Sequence, residues 1–214
     1  RHLDRRRQRR AGRGTRFAVS WAVDHLVIGA ATLAQGAAWC EAAFGVAPGP
    51  GGKHALMGTH NRLLSLACEA FPRCYLEIIA IDPDAPAPAR RRWFDLDDAA
   101  MQAALTAGPR LIHWVARCDD LAAECAARAA TGIDAGEILA AERATPQGLL
   151  RWRIAVRADG RRPAGGLPTL IEWGEVHPAD HLAASPLRLA AFDERRLVAE
   201  IDSPKGRVRL EGLA

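Results

Sequence analysis

A strand-like run carrying a single imidazole occurs twice in this chain, 88 positions apart. Asp24-His25-Leu26-Val27-Ile28-Gly29-Ala30 and Ile112-His113-Trp114-Val115-Ala116-Arg117-Cys118 share length, apolar character and a His in second place. The register continues without a gap: Leu33 meets Leu121, Ala34 meets Ala122, Ala38 meets Ala126 and Ala42 meets Ala130. Such a repeat constrains the fold more than any single motif, because one supersecondary unit used twice has to bury its apolar face against its own copy.

Periodicity and punctuation fill in the unit. An alanine-rich stretch from Leu33 to Phe44 has helical spacing, with Thr32 as N-cap and Gly45 as stop. Strand-like runs follow at Lys53–Gly58, Arg62–Cys68 and Cys74–Ile81. The second copy repeats the order: a strand at 111–118, a helix at 121–130, and strands near 136–144, 148–157 and 168–176. The class is therefore α+β, with two tandem βαβββ modules in one curved mixed sheet. Module one covers about 17–82, a Pro- and Asp-rich linker with a short helix 83–109, and module two about 110–178. An extension, 179–214, ends in a β-hairpin around Ser203-Pro204-Lys205-Gly206.

Composition matters chiefly for what it excludes. The 214 residues carry a formal charge of +4, but residues 1–16 hold eight Arg and one Asp, leaving 21 bases against 24 acids in the remainder. The apparent basicity belongs to an N-terminal tail that reads as a disordered, solvated extension, so a nucleic-acid partner is not expected. No apolar run reaches the roughly 20 residues of a membrane helix, and no segment has the order of a signal peptide. Five Cys without zinc-type spacing read as reduced, buried thiols, so the expected location is the cytoplasm.

The chemistry sits at matching places in the repeat. Glu77 in Tyr75–Ile79 lines up with Glu172 in Leu170–Gly174, each alone in an apolar strand. A buried carboxylate requires a cation or a proton. Two imidazoles and two carboxylates, His25, Glu77, His113 and Glu172, form a donor set suited to a divalent first-row metal. His60, Asn61 and Arg62, at a turn on the rim, are candidates for holding a substrate carbonyl or carboxylate. Against the metal stands the plainer alternative: a lone His as a hydrogen-bonded core residue, a lone Glu paired with an Arg, and Asp24 simply orienting His25. His54 reads as a surface residue, and the His177/His181 pair lacks the Glu of a metalloprotease helix.

On the runs 24–30, 50–67, 75–86 and 167–173, with the Gly58-Thr59, Asn61-Arg62-Leu63 signature, the sequence resembles the vicinal-oxygen-chelate superfamily and its glyoxalase-like domain group. The resemblance spans roughly 24–180. It implies two βαβββ modules cupping a divalent transition metal (Zn, Ni, Co, Mn or Fe) on His25, Glu77, His113 and Glu172. It further implies a lyase or isomerase acting on a small oxygenated substrate through an enediolate, with Glu77 or Glu172 as base. The superfamily also contains ring-cleaving dioxygenases and metal-free, drug-sequestering binding proteins. A cup completed within one chain is compatible with a monomer or a homodimer.

Overall fold

The computed structural model describes residues 21–213, so the Arg-rich segment 1–16 lies outside the described residues. Module one runs β1 (Trp21–Gly29), α1 (Leu33–Phe44), β2 (Lys53–His54), β3 (Thr59–Ser65) and β4 (Tyr75–Ile81). A crossing segment carries α2 (Ala99–Ala107). Module two runs β5 (Arg110–Cys118), α3 (Leu121–Ala130), β6 (Glu137–Thr145), β7 (Gly148–Val156) and β8 (Thr169–Trp173). The chain ends with β9 (Arg188–Asp193), β10 (Val198–Ser203) and β11 (Gly206–Glu211). Local chemistry sets the boundaries of α1: the Thr32 side chain accepts from the Gln35 N–H, and Gly45 closes the helix at φ 76°.

The first eight strands form one mixed sheet in the order β2-β3-β4-β1-β5-β8-β7-β6. Read outward from the central β1–β5 pair, both modules give the same sequence of strands. The pairs β1–β4 and β5–β8 are parallel, and β1–β5 is antiparallel. This is the paired-module curved sheet that the repeat predicts.

The sheet has an apolar layer on each face. On the convex side Leu26, Ile28, Leu76, Trp114 and Leu170 pack with Cys40 and Phe44 of α1. Gly36 lets α1 approach closely, since a Cβ there would lie 2.3 Å from Ile78 Cγ2. Leu189, Ala199 and Ile201 of a three-stranded sheet, β11-β10-β9, complete this layer. The expected terminal hairpin thus gains a third strand. Residues 188–193 carry no β-branched side chain, which is why they do not read as a strand. On the concave side Val27, Ile79, Val115, Trp152 and Ile171 pack against Trp93, Phe94, Leu96, Met101 and Leu105 of the crossing segment. Burying each large side chain contributes about 2–3 kcal/mol. Phe94 and Asp95 have positive φ (60° and 61°). The Asp95 ion pair with Arg162 and its N–H bond to Gly160 O hold that bend.

Two β-bulges precede the inward-facing His residues. The β1–β5 register slips between Val23 and His25 and again between Val27 and Ile28, leaving Asp24 and Ile112 unpaired. Each bulge sits one residue before the repeated His. A bulge lets consecutive side chains share a face, so Asp24 and His25 both point into the concavity.

Candidate functional site

The site is built around the Asp24 carboxylate, which has no solvent exposure. Its Oδ1 lies 2.6 Å from His25 Nδ1. Its Oδ2 accepts from His177 Nε2 (2.8 Å) and from the Trp173 indole N–H (3.1 Å). His177 Nδ1 accepts from the Ala179 N–H, which fixes the proton on Nε2. The other ring nitrogen of His25 stands 3.5 Å from Glu77 Oε2, and Tyr75 stacks on the imidazole at 4.6 Å. Glu77 Oε1 accepts from Asn61 Nδ2 at 2.6 Å. The Gly52 N–H donates to Asn61 Oδ1, so the orientation of the amide is determined, and its second N–H reaches His54 Nε2 at 3.2 Å. His54 Nδ1 in turn lies 3.0 Å from Thr59 Oγ1.

This network divides the imidazoles by charge. Burial alone would push His25 down, but its contacts with Asp24 and Glu77 outweigh it and raise its pKa to about 9. Burial would raise Glu77, yet His25, His54 and Asn61 together bring it to about 2. Asp24 is held well below the usual carboxylate range by His177 and His25, against the opposing effect of burial. Burial drives His54 down to about 4. Burial, reinforced by Arg162, drives His113 to about 3. The result is a carboxylate–imidazolium–carboxylate row beside a neutral imidazole.

These shifts predict a stability maximum just below neutral pH. His54 and His113 stay neutral in the fold, so below pH 6.5 the unfolded chain binds protons that the native state does not, and stability falls on acidification. The His25 contribution is complete below pH 6.5 and is lost as pH rises through about 9. Urea titrations from pH 5 to 9.5 should peak near pH 6.5–7 and decline on the alkaline side by about 1–3 kcal/mol. A profile flat between pH 7 and 9 would show that His25 is not an imidazolium.

The concave face encloses a small cavity with about 30 Å3 of free space, lined by His25, His54, Asn61, Glu77, Arg143 and a shell of Trp93, Phe94, Trp152, Trp173 and aliphatic side chains. That space holds about two waters. Arg143 and Trp173 are the lining residues that retain solvent exposure, which puts the mouth beside them.

Of the four expected metal ligands, the structure brings together His25 and Glu77. His113 lies on the concave face, but its Nε2 accepts from the Thr169 N–H (3.1 Å) and lies 3.0 Å from Thr169 Oγ1. Glu172 is on the opposite face. Register pairs Val27 with Glu77 and, 88 positions on, Val115 with Thr169, so Thr169 is the structural counterpart of Glu77. Thr169, Ile171 and Trp173 point inward, and Leu170 and Glu172 outward. Glu172 receives the Arg153 guanidinium at 2.6–3.1 Å and the Leu121 N–H at the start of α3. Among the described residues no three His, Cys, Asp or Glu side chains gather as a metal centre. With Glu172 committed elsewhere, the donor set does not fit the expected four-ligand divalent metal. Glu172→Ala should cost about 1 kcal/mol, as a part-exposed ion pair and a helix-terminus contact, and should leave ligand binding in the cavity unchanged. A larger effect on binding than on stability would place Glu172 in the site.

Strand alternation also separates the three rim candidates. Residues 59–65 are strand, not turn, so Asn61 faces the cavity. His60 lies on the other side, 3.8 Å from Asp82, and Arg62 is exposed. His54, which reads from the sequence as a surface residue, lines the cavity, as does Trp173. His177, dismissed as a ligand, anchors Asp24. No local pattern in the sequence marks His54 or His177 for these places.

A concave sheet of two βαβββ modules, with an acid–base row on its inner face, defines the class. The chain belongs to the glyoxalase-like domain family, whose family model matches residues 23–209. Among solved structures, a hypothetical protein from Staphylococcus aureus is similar over 90% of this chain and 86% of its own, at 12% identity and TM-score 0.51. A methylmalonyl-CoA epimerase from Mycobacterium tuberculosis is similar at 17% identity and TM-score 0.41, covering 71% of this chain and 86% of its own. A Streptomyces coelicolor methylmalonyl-CoA epimerase in complex with 2-nitronate-propionyl-CoA gives 18%, 0.44, 72% and 96%. The likeness to the Staphylococcus aureus protein is one of fold. No curated protein matches the chain. No helix among the described residues is long and apolar enough to cross a membrane.

Proposed function

We propose that this protein is a proton-transfer enzyme of the isomerase or lyase kind, acting on a small oxygenated substrate through an enediolate. The observation that carries this reading is the unsaturated end of the acid–base row. At 3.5 Å from one another, the His25 Nε2–H and Glu77 Oε2 make only a long contact, while Glu77 Oε1 and both Asp24 oxygens are engaged by closer partners. A substrate carbonyl oxygen would take that proton donor, and Glu77 would accept the proton from the adjacent carbon. The C–H electron pair moves into the new C=C bond, and the carbonyl π pair moves onto the oxygen, where the imidazolium stabilises it. Losing His25 as its own partner raises the proton affinity of Glu77, so the base strengthens when substrate is in place. Return of the proton to either carbon, or loss of a leaving group, completes the reaction. Asp24 keeps His25 charged and oriented throughout.

The test is deuterium exchange. Small 2-hydroxycarbonyl compounds and 2-oxo acids incubated with the protein in D2O should lose the α-proton signal faster than in its absence, with no metal added. Exchange that appears only on addition of Zn, Ni, Co, Mn or Fe would overturn the metal-free step. A second reading, a binding protein without catalysis, is favoured by the aromatic lining and the near-complete internal pairing of the row. Ligand binding with no exchange across the panel would select it.

A further inference from the structure

Among the residues that line the cavity most acceptors are taken, Glu77 Oε2 making only its long contact with His25, while some donors have no partner. Both Asp24 oxygens, Glu77 Oε1 and the Asn61 oxygen have the partners described above. By contrast, Arg143 Nε and Nη1 and the Trp93 indole nitrogen are buried without a hydrogen-bond partner, and both side chains line the cavity. Buried donors of this kind are uncommon, because leaving them unpaired costs the full desolvation of the group.

Arg143 is also held in place. It stands on β6, one edge strand of the curved sheet, and its guanidinium lies against Gly52, which precedes β2 at the other edge. A Cβ built on Gly52 would be 2.4 Å from Nη1 and 2.7 Å from Cζ. The guanidinium therefore fills the seam where the two edges of the cup approach each other, at the mouth of the cavity. Gly52 is itself pinned, donating to Asn61 Oδ1 and accepting from the Asn61 N–H.

We propose that Arg143, assisted by the Trp93 N–H, seats the carboxylate of a small apolar monocarboxylate, which makes a carboxylate-bearing carbonyl compound the substrate class of the reaction proposed above. The catalytic part of this inference rests on that reading; the seat does not. The tight space and the apolar walls favour a carboxylate over a hydrated dianion such as phosphate. A carboxylate seated on the Arg143 guanidinium also disfavours the nearby Glu77 anion, which makes Glu77 readier to accept a proton.

The experiment compares propionate with its neutral isostere propionamide by NMR titration against the full chain. Propionate should bind, and propionamide at least about tenfold more weakly, the scale of one charge-assisted hydrogen bond. Arg143→Gln should weaken propionate by about tenfold or more and leave propionamide unchanged. Gly52→Ala keeps the charge but displaces the guanidinium, and should weaken propionate as well, with thermal unfolding cooperative in both variants. Equal binding of the two probes, no effect of Arg143→Gln, or binding of inorganic phosphate in place of propionate would each overturn the seat. Propionate binding that depends on Arg143, without deuterium exchange on any substrate, keeps the seat and removes the proton-transfer reading. Exchange on neutral substrates with no dependence on Arg143 does the reverse.

Discussion

Asp24→Ala is expected to lower the unfolding free energy by about 3–5 kcal/mol, the scale for removing one member of a buried charge network. The carboxylate has no solvent exposure and is the shared acceptor for His25, His177 and the Trp173 indole. Without it, two buried imidazole N–H groups, on β1 and the segment after β8, and the part-buried Trp173 indole N–H on β8 lose their partner, and His25 retains Glu77 as its only counter-charge. Asp24→Asn should be intermediate, because one amide oxygen cannot serve both the His25 side and the His177/Trp173 side. Urea denaturation at pH 7 measures both. A loss below about 1 kcal/mol for the Ala variant would mean that the row is a solvated surface feature, and the site geometry would have to be abandoned.

Glu77→Gln is expected to reduce α-proton exchange by about 10²–10⁴, the usual contribution of a positioned general base. The amide oxygen can still accept from Asn61, so the fold should survive with a modest loss of stability. Glu77→Asp, which sets the carboxylate back by one methylene, should retain part of the activity. This ordering separates a base from a purely structural group: a structural role would make exchange follow stability, whereas a base makes exchange follow the carboxylate. If Glu77→Gln exchanges protons as fast as the parent protein, the base lies elsewhere.

The two modules have diverged around one geometry. The bulged residue before the repeated His is Asp24 in one copy and Ile112 in the other. The partner across the parallel strand is Glu77 in one and Thr169 in the other. Module one thereby holds a charged imidazole between carboxylates, while module two holds a neutral imidazole against a hydroxyl and a backbone N–H. One half carries the acid–base groups, and the other serves as the wall against which they are enclosed.

The sequence by itself determined the architecture. The repeat around His25 and His113, the helix capped by Thr32 and Gly45, and the alternation in the strands depend on local periodicity, which a linear chain displays directly. It also pointed to His25, Glu77 and Asn61, and to Asp24 as the orienting group. Only the tertiary structure decided which residues share the cavity. Glu172 aligns with Glu77 by residue type, but register makes Thr169 its counterpart, three positions earlier, and an odd shift along a pleated strand reverses the face. His54, His177, Arg143 and Trp93 come from β2, the segment after β8, β6 and the crossing segment. They meet only because the sheet curls until its edges approach, and no local pattern in the chain encodes a contact made by curvature.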